Sequence, residues 1–148
     1  MVNNSDIIDI IRLYRNFPKY TYLSDRDIAR AIIPSLALNQ FNIFRYENTG
    51  VAYAFTNWAF ISPEVEKRFK EKGYLEMLEW DSGNICWHVE TINTAPNKLK
   101  EIYKWTTDKL EKYIGEEGII HWIRMNKSGR GIKRYNKMKV KTAKRKFN

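Results

Sequence analysis

The chain predicts an α+β fold: a mixed, mostly antiparallel sheet with helices packed on it. Three observations carry this. Capped stretches with apolar residues at helical spacing recur along the sequence. Two strand-like runs meet across Asn48-Thr49-Gly50, the mark of an antiparallel hairpin. The elements then run helix, helix, hairpin, helix, strand, helix, strand, an order in which helices pack on a shared sheet.

Residues 5–14 predict a helix with Ser5 as N-cap, Asp6 at its positive end, and Ile7, Ile8 and Ile11 in its stripe. Phe17-Pro18 stops it, and residues 19–23 are a loop or a short extended piece. Ser24-x-x-Asp27 resembles a capping box and opens a second helix through Ile28, Ile32 and Ile33. Pro34 is expected to kink or break it, with a further turn through Ser35–Leu38 left open beyond. Residues 40–47 and 51–60 are the two hairpin strands. Ser62-Pro63 starts a helix that Gly73 ends. Residues 85–92 predict a strand and residues 98–114 the clearest helix, closed by Gly115 and Gly118. An apolar strand follows at 119–125, then a turn at 126–131. Residues 132–140 read as a strand or a helix, since Ile132, Tyr135 and Met138 fit neither period well, and the chain from Thr142 is expected to fray.

A length of 148 residues indicates one domain, residues 1–148, long enough to bury a sizeable core. No apolar run approaches the ~18 residues that span a membrane. A single Cys86 forms no internal disulfide, so a cytoplasmic location is the expectation. The net charge of +9 is uneven. Residues 127–148 hold 10 of the 26 Lys and Arg and none of the 17 acids, so the basicity lies in the tail. Such a tail attracts a polyanion: nucleic acid, an anionic membrane or an acidic protein. The alternative is a solvated terminal extension.

The chain is organised around residues 80–96. A turn, Asp81-Ser82-Gly83-Asn84, leads into a strand carrying His88 and Glu90. On a regular strand these share a face, with Cα atoms about 7 Å apart, and an imidazole beside a carboxylate can do acid/base chemistry. A half-buried strand with its polar face in water explains the same pattern. One Cys and two distant His make no closed zinc site. No phosphate-binding Walker loop or nucleophile elbow is present. Cys86, beside Trp87, reads as a buried structural thiol. Tyr135 and Phe147 among the basic tail residues leave single-stranded nucleic acid as a possible ligand, with no supporting motif.

Several pieces in order resemble the RTX toxin-activating lysine acyltransferases. They are Tyr14-Arg15-Asn16-Phe17-Pro18; Ile33-Pro34; Val51-Ala52-Tyr53 with Trp58-Ala59-Phe60-Ile61-Ser62; Glu79-Trp80-Asp81-Ser82-Gly83; Trp87-x-x-Glu90; Ala95-Pro96; and Trp122-Ile123-Arg124. Together they span about residues 10–140. The resemblance implies a GNAT-like fold, acyl-acyl carrier protein as donor (acyl-coenzyme A less so), no tightly bound cofactor, and a lysine of a protein as acceptor. Asn126–Gly131 resembles in part the pyrophosphate loop of GNAT acetyltransferases, but a plain turn explains it better.

The family's catalytic His and Asp fall on Tyr14 and Glu90. The carboxylate is kept; the His is not, and a phenol is a poor base near neutral pH. Three readings stay open: His88 is a relocated base; Tyr14 donates a hydrogen bond to the thioester; or the chain is a catalytically impaired relative that still binds carrier protein, a protein target or nucleic acid. Arg15, Arg124, Lys127 and Arg130 are the candidate residues for the carrier or substrate. A homodimer is a further possibility.

Overall fold

The structure is a computed structural model that describes residues 2–124 and 134–148. Helix α1 (Asn4–Arg15) opens the chain, and Asn3, not Ser5, caps it. The Asn3 side chain accepts from the Asp6 N–H at 2.9 Å, and Asp6 accepts in return from the Asn3 N–H at 3.1 Å. Three residues after Ser5 stands Ile8, which has no acceptor to return the bond. The expected box at the start of helix α2 (Asp25–Ala37) forms, with Ser24 and Asp27 exchanging bonds of 3.1 and 3.2 Å. Ser24→Ala is expected to lower stability by about 1 kcal/mol, read as a lower urea midpoint with an unchanged slope.

Pro34 does not break α2. Its missing N–H forfeits one bond, yet the Leu38 N–H still donates to the Pro34 carbonyl at 3.1 Å, so the last turn continues past it. Strands β1 (Phe41–Arg45) and β2 (Ala52–Ile61) form the hairpin. Helix α3 (Pro63–Lys72) starts at its Ser62 cap and ends at Gly73, where φ is 83° and a side chain would be strained.

Strand β3 (Ile85–Asn93), helix α4 (Leu99–Ile114) and strand β4 (Ile119–Arg124) follow. The undecided stretch after them resolves into strand β5 (Arg134–Lys139) and helix α5 (Val140–Phe147). The expected fraying does not occur, because Val140 and Ala143 bury against the body. Lys144 also donates to Glu111 at 3.0 Å, and Lys139 and Lys141 to Glu117 at 3.0 and 2.6 Å. Three of the seven Lys and Arg in residues 134–148 are therefore turned toward acids of their own chain.

The described strands form one sheet in the order β1-β2-β3-β4-β5. Every pair is antiparallel except β3–β4, which is parallel over only three residue pairs, Cys86↔Ile120 to His88↔Trp122. This is the α+β, GNAT-like architecture. Helices α1 and α2 cover one face through Phe55 and Ile92. On that same face α3 packs Phe69 against Ala59, Ile61 and Trp87. Helices α4 and α5 cover the other face through Trp58, Cys86, Leu110 and Val140. No described helix is long and apolar enough to cross a membrane.

Candidate active site

The site begins with an irregularity in β3. Trp58 pairs with His88 and Asn57 with Glu90, so β3 spends an extra residue, Val89, at this point. Such a bulge shifts the phase of a strand by one residue, and every later side chain changes face. Cys86 and His88 accordingly point toward α4 and α5, while Glu90 and Ile92 point toward α1 and α2. The expectation that His88 and Glu90 share a face is overturned: they do not form a pair.

The His88 Nε2 is shared between two hydroxyls, Thr56 Oγ1 at 2.5 Å and Thr91 Oγ1 at 2.9 Å. Burial pushes its pKa down to about 4, against a bond with the Glu90 main chain that pulls the other way. The ring is thus neutral at physiological pH, and its protonation does not change near pH 7.

Glu90 has a different environment. The Tyr20 hydroxyl donates to Glu90 Oε1 at 3.2 Å, and the Thr91 N–H donates to the same oxygen at 3.3 Å. Burial nevertheless dominates and pushes the Glu90 carboxyl up to about 7. A carboxylate balanced between its two forms near neutral pH suits proton transfer.

Tyr20 was not singled out in the sequence. It stands in a short 3-10 turn, Pro18–Tyr20, seventy residues before its partner. The sequence reads residues 19–23 as a loop or a short extended piece, with Phe17-Pro18 as the stop before it. Its ring lies 6.0 Å from that of Tyr14 and 5.3 Å from that of Phe17, which fixes the hydroxyl against Glu90.

Tyr14 is fully buried, and its hydroxyl has no hydrogen-bond partner among the described residues. Burial first, and the nearby Glu90 charge second, hold its pKa well above the usual phenol value. The phenol keeps its proton, so Tyr14 is no general base. It lines a smaller cavity of about 290 Å³ on the α1/α2 side, where Tyr20 and Glu90 also appear. Arg15 donates to the Leu23 carbonyl at 2.7 Å and pairs with Asp25. It ties the end of α1 to the start of α2, across the segment that carries Tyr20. Lys127, Arg130 and the Asn126–Gly131 turn lie outside the described residues. Burial pushes the Cys86 thiol up to about 12, which leaves it without nucleophilic character.

Where the β3–β4 pairing ends, the two strands open into a cleft of about 890 Å³ beneath α4 and α5. Tyr20, His88 and Glu90 line it. Lys19, Lys100, Arg124 and Lys146 stand exposed around it, and Glu90 is the only acid among the described residues of its wall. Among the described residues no group of three or more His, Cys, Asp or Glu side chains is placed to hold a metal ion. A lone buffered carboxylate under a cationic rim, with apolar walls behind it, fits a reaction at neutral pH on an anionic substrate with an apolar part.

The model of the RTX toxin acyltransferase family matches residues 2–139. The chain belongs to this family. It is also similar to a protein of Synechocystis sp. (strain ATCC 27184 / PCC 6803 / Kazusa) described as uncharacterized, with 29% identity over 131 residues, 87% of this chain and 83% of that protein. Membership of the RTX toxin acyltransferase family makes the chain a member of a transferase family, with an acyl donor and a protein substrate implied as partners. The matched stretch ends at Lys139, so α5 lies beyond it. Yet Ala143, Lys146 and Phe147 of α5 form part of the cleft wall of this RTX toxin acyltransferase family member.

Proposed function

We propose that the chain transfers a fatty acyl group from acyl carrier protein to the side-chain amine of a lysine in a protein. The observation that supports this best is Glu90, a carboxyl with a pKa of about 7 set in the wall of a cleft whose rim is cationic. The acyl carrier's acidic surface meets Lys19, Lys100, Arg124 and Lys146, which steer it and hold the thioester at the cleft.

The acceptor lysine enters as an ammonium ion and is unreactive until it loses a proton. Glu90 takes that proton. The neutral amine then attacks the thioester carbonyl carbon: a C–N bond forms, the C–S bond breaks, the proton held on Glu90 goes to the departing thiolate sulfur, and the extra proton left on the new amide nitrogen passes to the freed carboxylate and on to water. Tyr20 orients the carboxylate through its 3.2 Å bond. The cage of Thr56 and Thr91 keeps the His88 ring in one position in the cleft wall. His88 therefore serves as a neutral wall group and not as a relocated base.

Glu90 must be ionised to accept the proton, so the rate of transfer is expected to rise with pH through a midpoint near 7. His88→Gln leaves that midpoint in place, because the imidazole titrates near 4. A midpoint that moves with His88 would return the base role to the imidazole. The activity itself is tested by incubating the purified chain with acylated carrier protein and a lysine-containing acceptor protein, then weighing both proteins by mass spectrometry. An acyl mass on a lysine supports the reading; acylated carrier protein that binds but is never discharged overturns it.

The impaired-relative reading has one observation in its favour. Tyr14 stands where the resemblance places a catalytic His, and it is a buried, protonated phenol. The discharge experiment separates the two.

A further inference from the structure

The inner part of the cleft is unlike its mouth. Around the mouth, Lys19, Asn97, Lys100 and Arg124 are exposed to solvent. Deeper in, the walls are Thr106, Thr107 and Leu110 of α4, Ile120 of β4 and Ala143 of α5, none more than 7% exposed. Residues this buried line a space only where the space reaches into the body of the protein, here between the sheet and the α4/α5 layer.

The two threonines look polar in the sequence but are apolar toward this space. Thr106 Oγ1 donates to the Ile102 carbonyl and Thr107 Oγ1 to the Tyr103 carbonyl, each at 2.8 Å along their own helix. Their hydroxyls are satisfied there, which leaves methyl groups for the interior. Tyr103 of α4 packs at 5.4 Å against Phe147, the last residue of α5, and both rings line the cleft. A space walled there by aliphatic side chains and by threonines whose hydroxyls are already satisfied matches an unbranched hydrocarbon chain, which has no polar atom to satisfy along its length.

We infer that the inner cleft is the chamber for the aliphatic chain of the acyl group, and that Leu110 and Ala143 form its floor and so set the chain length accepted. This deepens the transfer reading and rests on it for the identity of the donor. The floor is partly built by α5, which lies outside the stretch shared with the family model.

The test is binding, so that it does not depend on turnover. A series of straight-chain fatty acids of increasing length, each below its micelle concentration, displaces a fluorescent fatty acid from the full chain. Each methylene that enters an apolar chamber contributes about fourfold in affinity, and the gain stops at the length that reaches the floor. Ala143→Leu raises the floor and is expected to move that break to shorter chains. Leu110→Ala lowers it and is expected to move the break to longer ones, which keeps the test available if the first variant does not fold. Affinity independent of chain length, or a break that stays put in a folded variant, overturns the chamber. Length-dependent binding without lysine acylation would leave the chamber standing and overturn only the transfer reading.

Discussion

Glu90→Gln is expected to lower acyl transfer by at least about 10²-fold, with the donor's binding to the cleft little changed. The amide keeps the shape of the side chain and can still accept from the Tyr20 hydroxyl, now at 3.2 Å to the carboxylate. What it loses is the ability to take a proton. Stability supplies the control. The Glu90 pKa of about 7 in the folded protein lies above the carboxyl's ordinary 4.5. Between those values the folded chain binds a proton that the unfolded chain has released, so stability falls as pH rises through that window. Above about pH 7 the wild-type protein holds a buried charge that the Gln variant lacks. The variant is therefore expected to unfold at an equal or higher urea concentration there. A variant that is inactive and also less stable above that pH would mean that Glu90 holds the fold together, and the catalytic role would fall.

Trp87→Ala is expected to cost about 3–5 kcal/mol of stability. Trp87 is fully buried. Its ring meets Phe69 edge-on at 5.1 Å and stacks on His121 at 5.3 Å, so one side chain joins β3 to both α3 and β4. Its indole N–H donates to Glu66 Oε2 at 2.8 Å. Removing the ring leaves a cavity under α3 and strips the donor from a partly buried carboxylate. Trp87→Phe separates the two effects. It restores most of the packing but not the bond, and is expected to recover all but about 1–2 kcal/mol. Urea unfolding of the three proteins measures both numbers. Equal losses in Ala and Phe variants would assign the effect to the hydrogen bond instead of the packing.

The local features of the fold were legible because they rest on contacts a few residues apart. The Ser24–Asp27 box, the Ser62-Pro63 start and the Gly73 stop all appear where the sequence puts them. The exceptions have local causes as well. Asn3 displaces Ser5 because Asp6, three residues on, returns its bond. Pro34 stays inside α2 because it stands within the last turn, where losing one bond is tolerated.

The site was legible only in part. Glu90 is singled out by the ordered resemblance, and its burial came only with the structure. Tyr20 had no comparable signal, since its bond to Glu90 crosses seventy residues. The pairing of His88 with Glu90 failed for a cross-strand reason. Alternation along β3 puts the two on one face, but the register against β2 inserts Val89 between them and turns them apart.

By itself, then, the sequence determined the α+β class, the family, and the caps at Ser24, Ser62 and Gly73. All of these follow from side-chain chemistry and spacing along the chain. Tertiary structure alone decided the face on which Glu90 stands, the hydroxyl that meets it, its pKa, and the fate of the basic tail. A bulge is a property of two paired strands, a raised pKa is a property of what excludes water, and α5 is held by the α4 it lies against. None of these is written in the neighbours of the residue it affects.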